Sequence, residues 1–189
     1  MANLKDAARP LASDTGVDVS RCYQCGKCSA GCVQAAEMDI PPSRVMLLLQ
    51  TGSADDYRSV LSSKAIWLCL NCENCYERCP QSVDIPAVMD FLRQRSLETG
   101  LAHRDAKKII AFHRSFLSSV ENTGRLYEVG LEAGYKLRTL DLLQDVALVP
   151  AMLAKGKLHM LPEVVRDRRA VKDIFKKTTG NKKNKEDGR

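Results

Sequence analysis

Two short stretches, "CYQCGKCSAGC" at residues 22–32 and "CLNCENCYERC" at residues 69–79, hold all eight cysteines of the chain. Both run C-x2-C-x2-C-x3-C; Pro80 follows the second and Val33 the first. Thiols in this pattern could close disulfides, hold zinc, or hold iron and sulfide. An even cysteine count suits oxidised, secreted scaffolds. The opening residues "MANLKDAARPLASDTG" lack the apolar core of a secretion signal, however. Thiols at i, i+3 and i+6 would also have many ways to mispair. Structural zinc takes four ligands, commonly as two C-x2-C pairs across a longer loop. One zinc does not need the third and fourth cysteines that follow at once in each run, although two zincs could use all eight.

The doubled run points to iron–sulfur chemistry. C-x2-C-x2-C-x3-C-P is the bacterial ferredoxin pattern for a [4Fe–4S] cubane. Three closely spaced cysteines wrap a turn of backbone around three irons of one cube. The fourth points away and, in two-cluster ferredoxins, ligates the other cluster. The expected sets are therefore Cys22, Cys25, Cys28 and Cys79 for one cluster, and Cys69, Cys72, Cys75 and Cys32 for the other. The crossing ties residue 32 to a site formed near residue 70, so that cluster assembly becomes part of folding. Pro80 keeps the chain from turning helical too early. Gly26 and Gly31 either let backbone approach the inorganic core or serve as ordinary turn glycines.

The elements that must position these loops read as helices. Between Cys32 and Cys69 lie 36 residues, far more than small two-cluster ferredoxins use. "PPSRVMLLLQTG" (41–52) opens on prolines, carries Val45, Met46, Leu48 and Leu49, and stops at Gly52. "DDYRSVLSSKAIWLC" (55–69) predicts a second helix, with Asp55 or Asp56 near its start and Tyr57, Val60, Leu61 and Ala65 at helical spacing. "VDIPAVMDFLRQRSLETG" (83–100) predicts a third, ending at Gly100. The fold class is mostly α: an α-helical ferredoxin with two [4Fe–4S] clusters and a C-terminal helical extension. The expected organisation is an N-terminal segment 1–20, a cluster domain 21–100, a helical extension 101–175 and a basic, disordered tail 176–189.

The extension has helical patterns at 103–124, 125–139 and 140–157, the last broken by Pro150, and an amphipathic stretch at 161–178. Leu148, Val149, Met152 and Leu153 belong either to this chain's own core or to a face for another protein of a complex. The net charge of +6 owes much to the tail "KKTTGNKKNKEDGR", read as a solvated end. At 5% aromatic, with no aromatics interleaved among basic residues, the chain has no base-stacking pattern. Nucleic acid is therefore not an expected partner. No apolar run reaches the ~20 residues of a membrane helix, and a cytoplasmic location is expected. His103, His113 and His159 stand apart from one another and read as exposed or capping. No nucleotide loop occurs, and no catalytic residue is expected in this chain.

These residues resemble the C-type subunits of heterodisulfide reductase, its iron–sulfur electron-transfer proteins. The resemblance is strongest over about residues 20–100, in "RCYQCGKCSAGC", "PPSRVMLLLQTG" and "IWLCLNCENCYERCPQSVDIPAVMDFLR", and weaker through "LVPAMLAKGKLHMLPE". Val33 departs from the proline common after the first run, which changes no ligand. The resemblance implies an electron-relay component of an oxidoreductase complex acting on a sulfur group. Electrons would pass from the A-type subunit, which contains flavin and iron–sulfur clusters, to the catalytic B-type subunit. The latter reduces the mixed disulfide of coenzyme M and coenzyme B in methanogenesis. Hydrogenase or formate dehydrogenase can join the larger complex. Similar relay proteins serve complexes of sulfur metabolism, the alternative reading. An iron–sulfur sensor, a reading of another class, would need a DNA-binding element, and none is visible.

Overall fold

Helices account for all the regular structure in the computed structural model, which describes residues 8–141, 149–156 and 161–186; among these no strand occurs. The fold class is the mostly helical one expected. The chain divides into two compact units, one ending at Ala106 and the other beginning at Lys107.

The first unit holds both cysteine runs. Helix α1, Ala8–Thr15, lies in the N-terminal segment and ends where Gly16 takes a φ of +70°. A 3-10 turn, Val19–Arg21, follows; the Asp18 carboxylate caps it by accepting from the Ser20 backbone N at 2.9 Å and from its Oγ at 2.6 Å. The short α2, Lys27–Ala30, closes the first run. Helix α3, Pro42–Gln50, carries proline in its first turn and is followed by Gly52 at a φ of +64°. Val45, Met46 and Leu49 are buried, and Leu48 is half-buried.

The helix expected over 55–69 is two helices. Helix α4, Ala54–Leu61, is capped by the Ser53 side chain, and α5 is Ala65–Leu68. The break at 62–64 has a tertiary cause. The Asp39 carboxylate accepts from Ser63 Oγ at 2.7 Å, Ala65 N at 3.0 Å and Lys64 N at 3.2 Å. A carboxylate on the first free N–H groups of α5 does what an N-cap residue does, although it comes from a distant part of the chain. Burial raises the Asp39 pKa, but these bonds, with one from Ile40 N, outweigh it and leave the pKa lowered.

Helix α6, Asn74–Glu77, closes the second run. Helix α7, Ile85–Glu98, is capped by Asp84, which accepts from Ala87 N at 2.9 Å, with Pro86 in its first turn. Ile85, Val88, Met89, Leu92 and Ser96 recur every three or four residues on its buried face. Helices α4 and α5 pack on α7, and α3 packs on α4; Val45 and Met46 of α3, Val60 and Leu61 of α4, and Ile66 of α5 are buried with them in this unit. Ser96, fully buried, donates to Leu61 O at 2.7 Å and so satisfies a C-terminal carbonyl of α4. The end of α7 is a Schellman motif: Gly100, at a φ of +68°, donates to Leu97 O and Leu101 donates to Ser96 O. A 3-10 turn, Arg104–Ala106, follows, with His103 Nδ1 accepting from Asp105 N at 3.2 Å.

The second unit contains α8, Lys107–Thr123; α9, Glu128–Thr139; α10, Val149–Ala154; and α11, Arg168–Glu186. Helices α8 and α9 pack together, with Phe112 edge-on to Tyr135 at 6.3 Å and Arg138 donating to Ser115 Oγ at 3.1 Å. The segment before α11 lies on their connecting turn: Val165 N donates to Thr123 O, and Arg125 pairs with Glu163. For that reason α11 starts at Arg168, later than the expected 161. It then runs to Glu186, through residues whose composition suggests disorder. Lysine costs little inside a helix, and a helix once nucleated propagates cheaply. Leu148, His159 and residues 187–189 lie outside the described residues. Among the described residues, this unit buries nothing larger than Thr123, whereas Phe112, Phe116, Leu117, Leu137 and Leu140 are exposed.

Candidate metal centre

The two cysteine runs fold alike, residue for residue. Gln24 and Asn71, each between the first and second cysteines of its run, have positive φ, +62° and +49°. Gly26 and Glu73, each after the second cysteine, are also left-handed, at +77° and +59°. From there α2 and α6 begin, and the fourth cysteines close the same turn: Cys32 N donates to Ser29 O, and Cys79 N to Tyr76 O. A non-glycine residue held left-handed costs roughly 1–2 kcal/mol. The surrounding structure must therefore impose this path on Gln24, Asn71 and Glu73. In the second loop the first three cysteines, Cys69, Cys72 and Cys75, line one cavity.

Each loop is clasped from a helix. Gln50, the last residue of α3, donates through Nε2 to Cys22 O at 2.6 Å and Val19 O at 2.8 Å, and its amide meets that of Gln24 at 2.9 Å. Arg93, on α7, donates to the carbonyls of Cys69 and Ile66. Asp90, paired with Arg93 at 2.9 Å, accepts from Asn71 Nδ2 at 2.7 Å. Sequence reasoning passed over Gln24, Gln50, Asn71, Asp90 and Arg93. The one signal available was the side-chain amide at the same place in each run.

The runs are also joined to one another. Asn74 Nδ2 donates to Gly31 O at 2.7 Å, and the Arg78 side chain lies against Gly31 so closely that a Cβ there would sit 2.7 Å from its Cδ. The small size of Gly31 thus admits Arg78. A Cβ on Gly26 would meet nothing within 4 Å, and its use is the left-handed turn.

Cys32 lines one cavity together with Cys69, Cys72 and Cys75. Burial pushes the Cys28, Cys69 and Cys75 thiols up, Cys75 to about 12. Cys69 also feels the charge of Cys32. The pKa of the Tyr23 phenol is raised by desolvation and then by the charges of Cys25 and, least, of Cys79. All eight thiols are free. Among the described residues, no three His, Cys, Asp or Glu side chains stand close enough to hold a single metal ion. A wide set of soft thiols suits a polynuclear iron–sulfur group, where each thiolate takes its own iron, better than zinc ions that need four ligands at one point. Among the described residues, no helix is long and apolar enough to cross a membrane.

Residues 18–83 match the family of 4Fe-4S dicluster domains. Three relatives extend the comparison. The second C-type iron-sulfur subunit of the CoB--CoM heterodisulfide reductase of Methanocaldococcus jannaschii is 35% identical over 97 residues, 50% of each chain. The C-type iron-sulfur subunit of the CoB--CoM heterodisulfide reductase of Methanopyrus kandleri is 32% identical over 108 residues, 55% of each chain. The C-type subunit of the H(2):CoB-CoM heterodisulfide,ferredoxin reductase of Methanothermobacter thermautotrophicus is 26% identical over 108 residues, 57% of each chain. The chain thus matches these relatives over about half their length. Its resemblance to the C-type heterodisulfide reductase proteins holds over that half, and residues 18–83 match a 4Fe-4S dicluster domain.

Proposed function

We propose that this relative of the C-type heterodisulfide reductase proteins is the electron relay of such a complex, standing between a flavin- and iron–sulfur-containing subunit of the A type and a catalytic subunit of the B type. The ligand sets are Cys22, Cys25, Cys28 and Cys79 on one side, and Cys69, Cys72, Cys75 and Cys32 on the other. Two bound [4Fe–4S] clusters would supply one-electron couples. The protein's own residues hold those couples in place: Gln50 and Arg93 fix the loops, and the Asn74–Gly31 bond keeps the two sites adjacent. The observation that carries the reading is this pairing of two equivalent cysteine loops, with Cys32 facing the thiols of the other run. Exposed Cys25 and Cys72 put one thiol of each loop near the surface, where a redox partner can approach.

The second unit suits docking. Its large apolar side chains on α8 and α9 face outward, which is uncommon for a self-sufficient domain and characteristic of a surface that meets another protein. The flavin protein and the catalytic protein, with hydrogenase or formate dehydrogenase in the larger assembly, are the partners this reading names.

Anaerobic reconstitution tests the proposal. The chain should take up about eight irons and eight sulfides, the content of two cubanes. With the flavin and catalytic proteins present, leaving this chain out should stop disulfide reduction by electrons delivered through the flavin protein. Two zincs in place of iron, or reduction that proceeds without this chain, overturns it.

A further inference from the structure

The two loops are held by the same kind of bond but by unlike charges. Gln50 holds the carbonyl of Cys22 with a neutral amide. Arg93 holds the carbonyl of Cys69 with a guanidinium. Arginine does not deprotonate in proteins, so this charge is permanent. Its side chain is only 17% exposed, whereas that of its partner Asp90 is 49% exposed. Arg93 donates to the backbone of the cysteine loop directly, and Asp90 reaches that loop through the Asn71 side chain, whose Oδ1 lies 3.5 Å from Cys69 Sγ. The cation is therefore less screened than the anion that pairs with it, and it bonds the loop's backbone where the anion bonds a side chain. The other charges at the second loop, on Glu73, Glu77 and Arg78, sit on exposed residues and are screened by water and salt.

We infer that Arg93 is a positioning residue that raises the reduction potential of the cluster held by the second loop, and that Asp90 moderates it, while the carbonyl of Cys22 in the first loop is held by the neutral amide of Gln50. The inference rests on the ligand assignment proposed above. Reduction adds one negative charge to a thiolate-bound site. A nearby cation favours that added charge and a nearby anion opposes it; net charge and hydrogen bonding set the potentials of iron–sulfur sites. The two sites of one chain, alike in backbone, are then set independently, through a pair of residues on α7.

The test is an anaerobic, EPR-monitored redox titration of the full-length reconstituted chain, with Arg93→Gln and Asp90→Asn beside the native protein. Arg93→Gln should lower the midpoint potential of one cluster and Asp90→Asn should raise that of the same cluster, with the other unmoved. Cys75→Ala should delete the signal that these variants shift. Loosening of the loop alone would not move the potential in opposite directions in the two variants. Shifts of the same sign, no shift with iron retained, or shifts in the cluster that survives Cys75→Ala each overturn the inference. If Arg93→Gln fails to keep its iron, Asp90→Asn decides: a raised potential supports the inference, and an unchanged or lowered one refutes it. A native chain that binds no reducible clusters refutes the proposed function itself, an outcome distinct from intact clusters that ignore both substitutions.

Discussion

The crossing of the fourth cysteines can be tested without assigning any spectrum. Cys32 lines a cavity with Cys69, Cys72 and Cys75, and the charge of Cys79 reaches Tyr23 beside Cys25. If Cys79 belongs with the first run, Cys79→Ala leaves that site three thiols and leaves the other site its full four. Iron should then fall from about eight to about four per chain, because each cubane carries four. The pairwise variants decide whose site was lost. Cys25→Ala added to Cys79→Ala damages the same site twice and should cost no further iron. Cys72→Ala added to Cys79→Ala damages both sites and should leave almost none. This is the non-additivity expected of residues that act as a unit. Cys32→Ala should mirror the pattern, sparing iron with Cys72→Ala and losing it with Cys25→Ala. The assay is iron and acid-labile sulfide per folded chain after anaerobic reconstitution, with circular dichroism to confirm helix content. If Cys79→Ala with Cys72→Ala keeps about four irons, and Cys79→Ala with Cys25→Ala keeps none, each run holds its own cluster and the reasoning from fourth-cysteine geometry is wrong.

Asp39→Ala should destabilise the first unit by about 1–2 kcal/mol, the usual cost of losing a charged cap, read from anaerobic denaturant titrations. Because the folded pKa of Asp39 is lowered, its contribution is fully present above the unfolded carboxylate value of about 3.9 and fades as pH falls through the depressed folded value. The gap between native and variant should close in acid; a gap that persists there would show that the carboxylate charge is irrelevant. Gly26→Ala should cost about 1 kcal/mol through its φ of +77°, although a Cβ meets nothing there, and Glu73→Gly should gain a smaller amount at the equivalent turn. Equal thermal midpoints for all three proteins would contradict the strain argument. A chain ending at Ala106, the end of the first unit, should keep its iron and sulfide but fail to co-purify with the flavin and catalytic proteins. Loss of the clusters on truncation would make the second unit part of the fold the clusters need.

What the sequence discloses here follows from how far each determinant reaches. The cysteine runs are legible because a polynuclear metal group dictates ligand type and spacing within a few residues. The helix ends at Gly52 and Gly100, and the starts at Pro42 and Pro86, are legible for the same reason: caps and fixed φ angles act locally. The break between α4 and α5 is not, because the cap that makes it comes from Asp39, far back in the chain. Nor are the clasps. Gln50 and Arg93 sit on helices, where a polar residue reads as solvent-facing. Only the packing of α3 and α7 against the loops turns them onto the Cys22 and Cys69 carbonyls. The outward apolar faces of α8 and α9 mark the same limit from the other side. Helical periodicity announces that Phe112, Phe116 and Leu117 want burial, yet it is equally satisfied by this chain's own core or by another protein. Periodicity gives a helix its greasy stripe; what covers the stripe is decided by residues elsewhere, and for α8 and α9 the exposure of those side chains in the lone chain is what favours a second protein.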